Sequence, residues 1–256
     1  MKILIPTYGR AFRQTTFNNL PAELQEQTYL VVQDREKHLY KDREIFKYIV
    51  LPPHIQTIGA TRQLIIEKMR GTICMLDDDL EFAIRREDDR TKFRGVTDED
   101  MLELFDQLQL ESEVYPLVGI SAREGANRNT DRILQCTRQM RAHVIDTEYF
   151  RKNGIRFDRV QLMEDFDVIL QILSRGDANG VVNGWVTNQG GSNTEGGCSE
   201  YRTPERQQEA ANQLAKLWPG IVQCVRKSTK TSWGGAERVD VRIQWKKCYE
   251  EKLHVK

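Results

Sequence analysis

The chain has 256 residues, 39% of them hydrophobic and 30% charged, which suits one compact domain with a substantial core. Mean hydropathy is −0.60, yet the apolar residues recur in periodic runs, which excludes a disordered chain, and no run approaches the roughly 18 apolar residues of a membrane-spanning helix. Lys plus Arg and Asp plus Glu balance at 38 each, which excludes a basic field over the whole protein, and five cysteines without a CxxC pair exclude a disulfide framework and a zinc ribbon.

Lys2 to Pro6 reads as an apolar strand ending in the turn Pro6-Thr7-Tyr8-Gly9-Arg10, and Tyr29 to Gln33 and Tyr48 to Leu51 are further short strands. Between Thr57 and Arg70, Ile58, Ile65, Ile66 and Met69 share one helical face, with Thr57 placed to cap. Thr72 to Leu76 is a buried strand running straight into Asp77-Asp78-Asp79. An acidic helix from Asp98 to Leu110, a strand from Leu117 to Ser121 and an Arg/Asn-rich loop from Arg123 to Arg132 follow. Then come a strand over Gln139 to Asp146, a helix over Thr147 to Asn153, an amphipathic helix over Val160 to Ser174 and a last strand over Val181 to Val186. The polar, Gly-rich loop Gln189 to Arg202 precedes a helix starting at Thr203-Pro204-Glu205, whose buried stripe is Ala210, Leu214, Leu217 and Trp218. This alternation predicts an α/β fold, a Rossmann-type, mainly parallel sheet with helices on both faces. We expect one domain over residues 1–220, with a basic extension over 221–256 packed on it.

Charge is uneven locally. Ser121 to Val160 holds nine Lys/Arg against five Asp/Glu, and Ile221 to Lys256 holds nine against four. Either segment could present a basic face, or simply a solvated one. Ligands on such sheets bind at the carboxyl ends of the strands, a rule that brings Thr7 to Arg10 and Asp77 to Asp79 to one edge.

Three consecutive aspartates at a strand end repel one another unless a cation intervenes, and hard carboxylate oxygens suit Mn²⁺ or Mg²⁺. Asp77 and Asp79 point the same way if the segment stays extended. The plainer alternative is an acidic turn capping the next element. Glu164, Asp165 and Asp167 open a helix, where carboxylates are at home. That preference accounts for one of the three, and another could face a site as a general base. Arg10 and Arg62 could offer forked donors to a diphosphate or lie on the surface. His38, His54 and His143 read as loop or partly buried residues, His254 lies near the end of the tail, and Trp233 and Trp245 read as packed residues, with stacking on bases the alternative.

In this order, Ile5-Pro6-Thr7-Tyr8-Gly9-Arg10, Gly59-Ala60-Thr61-Arg62, Asp77-Asp78-Asp79 and Glu164-Asp165 resemble the GT-A nucleotide-sugar glycosyltransferases over roughly residues 1–190. The resemblance implies a donor site of Pro6, Thr7, Tyr8, Arg10, Arg62, Asp77 and Asp78, a metal on Asp77 and Asp79, and Asp165 as base with Glu164 its competitor. Many members add a late histidine to the metal, a role that is not assigned to His254. Asp77-Asp78-Asp79-Leu80, Val118-Gly119-Ile120-Ser121 with Arg123, Met163 to Asp167 and a Gly-rich loop ending in Arg202 are similar to the glycosyltransferases associated with TET/JBP dioxygenases. That group includes the base J glucosyltransferases and phage enzymes that glycosylate 5-hydroxymethylpyrimidines in DNA.

Met1 leads directly into the apolar segment Ile3 to Ile5 with no signal-peptide design, so we expect an intracellular, cytoplasmic enzyme without a membrane partner, as a phage protein would be in its host. By the resemblance it would move a sugar, glucose first among candidates, from a UDP-sugar to the hydroxymethyl group of a DNA pyrimidine with inversion. Arg202 would contact the donor phosphates, and Arg123, Arg128, Arg132, Lys246 and Lys247 the DNA. A polysaccharide or small-molecule acceptor, nucleotidyl transfer, and a non-catalytic DNA-binding module are the alternatives.

Overall fold

A computed structural model describes residues 1–41, 43–189, 196–197, 202–228 and 237–252. Strand β1 (Lys2–Thr7) buries Ile3, Leu4 and Ile5 completely, as a strand covered on both faces must. Two short helices, α1 (Thr15–Asn18) and α2 (Ala22–Gln25), lead to β2 (Thr28–Val32) and β3 (Lys47–Val50), which lie parallel beyond β1. Helix α3 (Ile58–Lys68) starts at Thr57, whose hydroxyl accepts the Ala60 N–H, and returns the chain to β4 (Thr72–Leu76) on the opposite side of β1. The strand order therefore reverses between β1 and β4, and a crevice opens there at their carboxyl ends.

Beyond the three aspartates come β5 (Leu80–Arg85), β6 (Phe93–Gly95) and helix α4 (Asp98–Glu111), whose Thr97 and Asp100 form a reciprocal capping box. Strands β7 (Leu117–Ala122), β8 (Ile133–Gln135) and β9 (Ala142–Asp146) precede α5 (Thr147–Lys152), α6 (Glu164–Leu173) and β10 (Gly180–Gln189). Helix α7 (Pro204–Leu217), an antiparallel hairpin of β11 (Val222–Ser228) and β12 (Glu237–Ile243), and α8 (Trp245–Glu251) complete the described chain.

The main sheet runs β3-β2-β1-β4-β9-β7-β10-β5-β6, with β8 on β10. Its first four strands and the β7–β10 pair are parallel, while β9, β5, β6 and β8 pair antiparallel, so the Rossmann-like half is joined to a mixed half. Successive residues of β1 face opposite layers. Leu4 packs with α3, α6 and Trp218, whereas Ile3 and Ile5 pack with Met101, Leu104 and Leu108 of α4. The expected α/β layering is present.

Two element starts and two unannounced strands differ from the sequence expectation for local reasons, and the strand expected to be the last, Val181 to Val186, runs Gly180–Gln189 and is followed by β11 and β12. Helix α6 begins at Glu164 rather than Val160 because Met163 adopts a left-handed conformation, φ 63°. Strand β9 begins at Ala142 because Arg141, φ 68°, breaks the extended run. The segment after Asp79 forms the strands β5 and β6, which its mixed polarity did not announce. Residues 221, 222, 241 and 248 join the same core as α6. Among the described residues no helix is long and apolar enough to cross a membrane.

Candidate active site

At the carboxyl ends of β1 and β4 lies a cleft of about 300 Å³. Pro6, Thr7, Tyr8, Arg10, Arg62, Asp77, Asp78, Asp79, Glu164, Asp165 and Arg202 all line it. The aspartate turn is fixed by α1: Thr16 donates its hydroxyl to the Asp77 carbonyl (2.6 Å) and accepts the Leu80 N–H (2.8 Å), and its own N–H reaches the Asp78 carbonyl (3.1 Å). Just before β9, the strained Arg141 accepts the Asp77 N–H on its carbonyl at 2.8 Å. Non-glycine residues in this conformation persist where surrounding contacts over-determine them, as these do.

The three aspartates are not equivalent. Asp78 is buried, receives the Thr7 hydroxyl at 2.6 Å and is ion-paired with Arg10, and burial still raises its pKa to about 6. Asp77 and Asp79 keep side-chain exposures of 30% and 20%, so these two can meet a ligand. Arg10 also reaches Asp79 at 3.1 Å. Arg62 bridges the two acidic clusters, donating to Asp77 Oδ1 at 2.7 Å and to Glu164 Oε1 at 2.6 Å. Polar Thr61 and Arg62 of α3 are buried like Ile65 and Ile66 because they line the cleft, while Gln63 is buried elsewhere, accepting the Phe157 N–H at 3.1 Å. Both arginines are thus held by carboxylates in this structure, where their places in the sequence suggested a diphosphate.

Among the described residues no group of three or more His, Cys, Asp or Glu side chains gathers into a metal cage. Asp77 and Asp79 fit a different kind of site. Two hard, partly exposed carboxylates in one cleft match the one or two that Mg²⁺ takes from a protein when phosphate and water complete its shell.

Helix α6 presents Glu164 and Asp165 with the left-handed Met163 aiming its first turn at the cleft. Burial raises both carboxyls above their ordinary range, Glu164 to about 7 despite Arg62. Glu164 is engaged by Arg62, whereas among the described residues Asp165 Oδ1 accepts the Phe166 N–H alone and nothing donates to its Oδ2. Asp167 turns away from the cleft. It accepts Trp218 Nε1 at 2.7 Å and Gln171 Nε2 at 2.8 Å and lies 3.3 Å from Arg159, and it is 1% exposed. Asp167→Ala should therefore cost about 1–3 kcal/mol for the buried donors left without an acceptor. That is a fall of roughly 5 °C in melting temperature for a chain this size, with transfer by the folded fraction retained. Calorimetry beside an activity assay at low temperature checks this, and a stable but inactive variant would reassign Asp167 to the chemistry.

Gly196 and Gly197 approach the β1 turn from the other side, with the Gly197 N–H on the Tyr8 carbonyl at 2.8 Å. At Gly196, φ 92°, a Cβ would stand 2.8 Å from Arg10 Cγ, so only glycine permits this approach. The rest of the Gly-rich segment, residues 190–195 and 198–201, lies outside the described residues, as do Trp233 and His254. His143 is buried against Phe157, and burial together with the nearby Arg62 charge holds its pKa well below the ordinary value, so it stays neutral. His38, in a short 3-10 helix over Asp34–Leu39 rather than the expected loop, and His54, in a turn, are both exposed.

Arg123, Arg128, Arg132, Lys246 and Lys247 do not line the cleft. Arg123 lies over the Phe93 ring at 5.6 Å, and Lys247 contacts the Gly220 carbonyl and Glu251. The cleft instead takes Arg138 and Arg141 from the first basic segment, and Arg238 and Asp240 from the second. Arg141 is paired with Glu124 at 2.9 Å. None of these four carries a local motif, and long-range packing alone brings them in.

A family model described as TET-associated glycosyltransferase matches residues 1–189. Two relatives named β-glucosyl-HMC-α-glucosyl-transferase, from Enterobacteria phages T6 and T2, are 23% and 22% identical over 236 residues, 86% of this chain and 81% of each relative. A crystal structure of S. aureus TarS residues 1–349 aligns at a TM-score of 0.49 with 13% identity, over 84% of this chain and 66% of that one.

Proposed function

This chain belongs to the TET-associated glycosyltransferases, and from that membership we propose that it transfers a sugar, glucose first among candidates, from a UDP-sugar to a hydroxyl carried by a modified pyrimidine in DNA. The observation that carries the reading is a single cleft in which the strand-end aspartates and the α6 carboxylates face each other across Arg62. Family membership makes the protein a glycosyltransferase and sets aside the nucleotidyltransferase and the non-catalytic module.

Asp77 and Asp79 would hold Mn²⁺ or Mg²⁺. When bound, the cation supplies positive charge to the departing diphosphate. Arg10 and Arg62, freed from those carboxylates as the donor enters, turn their forked N–H groups to phosphate oxygens. Thr7 and Tyr8 border the nucleotide, and buried Asp78 holds Arg10 in place rather than touching the donor. Asp165 takes the acceptor proton through the oxygen that no described residue engages, while Glu164 stays tied to Arg62. Direct displacement by the acceptor hydroxyl inverts the anomeric centre.

Arg202 follows the Gly196–Gly197 approach to Tyr8 and Arg10, which supports a donor-side role. Arg202→Ala should raise the donor KM about tenfold and leave the acceptor KM unchanged in steady-state kinetics. An unchanged donor KM would remove Arg202 from the phosphate site.

The names of the phage relatives favour a second reading, in which the acceptor is β-glucosyl-HMC, a base that already carries a sugar. Comparing kcat/KM on hydroxymethylated DNA, on β-glucosylated DNA and on the free nucleosides separates these readings. We expect one of the two DNA substrates to exceed its free nucleoside by orders of magnitude. Equal activity on DNA and nucleoside would favour the small-acceptor alternative.

A further inference from the structure

The family match ends at residue 189, yet Arg238 and Asp240 of β12 line the same cleft. Their strand is anchored to the helix that carries Asp165. The Trp245 ring, two residues after β12, meets the Phe166 ring edge-on with centroids 5.8 Å apart, Cys248 Sγ lies 3.7 Å from the Leu170 carbonyl, and Val241 shares a core with Val168 and Ile169. The C-terminal hairpin is thus a wall on the α6 side of the cleft, whereas Gly196 and Gly197 border the β1 turn on the proposed donor side.

Arg238 is held from one end. Its Nη2 donates to Asp240 Oδ2 at 3.2 Å, and the same oxygen accepts Lys227 Nζ at 2.8 Å while Oδ1 accepts the Val241 N–H at 2.8 Å. The Nε of Arg238 is shielded from water, and no described residue accepts its hydrogen. An arginine bracketed in this way, with a buried N–H that no described residue engages and a place in the cleft lining, is suited to an oxyanion. The Nε and Nη2 hydrogens of a guanidinium form a fork matched to two phosphate oxygens. Arg138, whose guanidinium lies 5.2 Å from the Phe166 ring centroid, adds positive charge at the same helix.

We propose that Arg238, bracketed by Asp240, binds a phosphate oxyanion on the acceptor side of the cleft: a phosphodiester of the DNA strand that carries the modified base. The inference rests on the DNA-acceptor reading above. It gives the C-terminal hairpin a part in recognising the strand, distinct from donor binding. The same oxyanion chemistry could be met by the donor diphosphate, and the two sources are separable.

Arg238→Ala and Arg238→Lys would be compared with the wild type for donor KM, DNA-acceptor KM and the salt dependence of DNA binding, with thermal unfolding as the check on folding. Arg238→Ala should raise the DNA KM about tenfold, leave the donor KM unchanged and lower the salt slope by about 0.9, the value of one phosphate contact. Arg238→Lys should restore the slope but only part of the KM, because a point charge replaces the fork. A raised donor KM with unchanged DNA KM would overturn the assignment in favour of the diphosphate. No change in either would reduce Arg238 to a structural partner of Asp240. A wild-type enzyme that modifies no DNA at all would instead overturn the acceptor reading itself, and this inference with it.

Discussion

Asp165→Asn should bind donor as the wild type does and transfer sugar about 10²–10⁴-fold more slowly, the range that a positioned general base contributes. The amide keeps the shape of the carboxylate and its acceptance of the Phe166 N–H, so folding is preserved. It cannot take up the acceptor proton. Glu164→Gln is the informative comparison, because Glu164 is bound to Arg62 at 2.6 Å and its loss loosens the bridge to Asp77. That variant should show weaker donor binding with a smaller fall in turnover. Stopped-flow or single-turnover transfer, read beside donor affinity by calorimetry, separates the two. If Glu164→Gln abolished transfer while Asp165→Asn kept it, the two roles would be exchanged.

Asp79→Ala should abolish the tightening of UDP binding by Mn²⁺ and reduce turnover by about 10²-fold or more, since several kcal/mol of leaving-group stabilisation depend on the proposed cation. Asp79 is the cleaner of the two carboxylates to remove. Arg10 retains buried Asp78 as its partner when Asp79 is lost, so no orphaned charge is left in the interior. Removing Arg62 would be a poor test by the same logic. It is buried and pairs with carboxylates from two elements, and breaking one side of such a pair costs about 3–5 kcal/mol. Titrating UDP into Asp79→Ala with and without Mn²⁺ decides the matter, and a variant whose affinity still responds to Mn²⁺ as the wild type does would remove Asp79 from the site.

The Rossmann-like half was legible because its strands are buried on both faces and therefore read as continuous apolar runs. Ile3 to Ile5 and Ile73 to Leu76 show this directly. The aspartate turn and the α6 carboxylates were legible for the opposite reason: acidic residues crowded next to apolar segments are electrostatically costly and stand out. Strands β6 and β8, three residues each, are too short for periodicity to register. The start of α6 was misplaced by four residues because a left-handed Met163 has no sequence signature, unlike the glycine that usually takes such a conformation.

Charge counting found two basic segments but not which of their residues face the cleft. In the first, Arg138 and Arg141 line it while Arg123, Arg128 and Arg132 do not. That outcome depends on Arg141 being turned by its own backbone and tied to Glu124 across the loop. In the second, Arg238 reaches the cleft because Trp245 packs on Phe166, a contact between residues far apart in sequence. The expected diphosphate contacts of Arg10 and Arg62 show the same limit. Both line the cleft, where in this structure they pair with the neighbouring carboxylates, and contact with a diphosphate belongs to the proposed donor-bound state.

Sugar transfer to a modified base in DNA is tested most directly by digesting the DNA to nucleosides after reaction. Wild-type protein would be incubated with Mn²⁺, a panel of nucleotide sugars, and unmodified, hydroxymethylated or β-glucosylated DNA, and the released nucleosides weighed by mass spectrometry. The expected result is a hexose mass added to the modified pyrimidine of one of the two modified DNAs, with UDP-glucose as donor, and nothing added to unmodified DNA. Donor turnover with no sugar on any DNA, or sugar appearing only on a free small-molecule or polysaccharide acceptor, would contradict it.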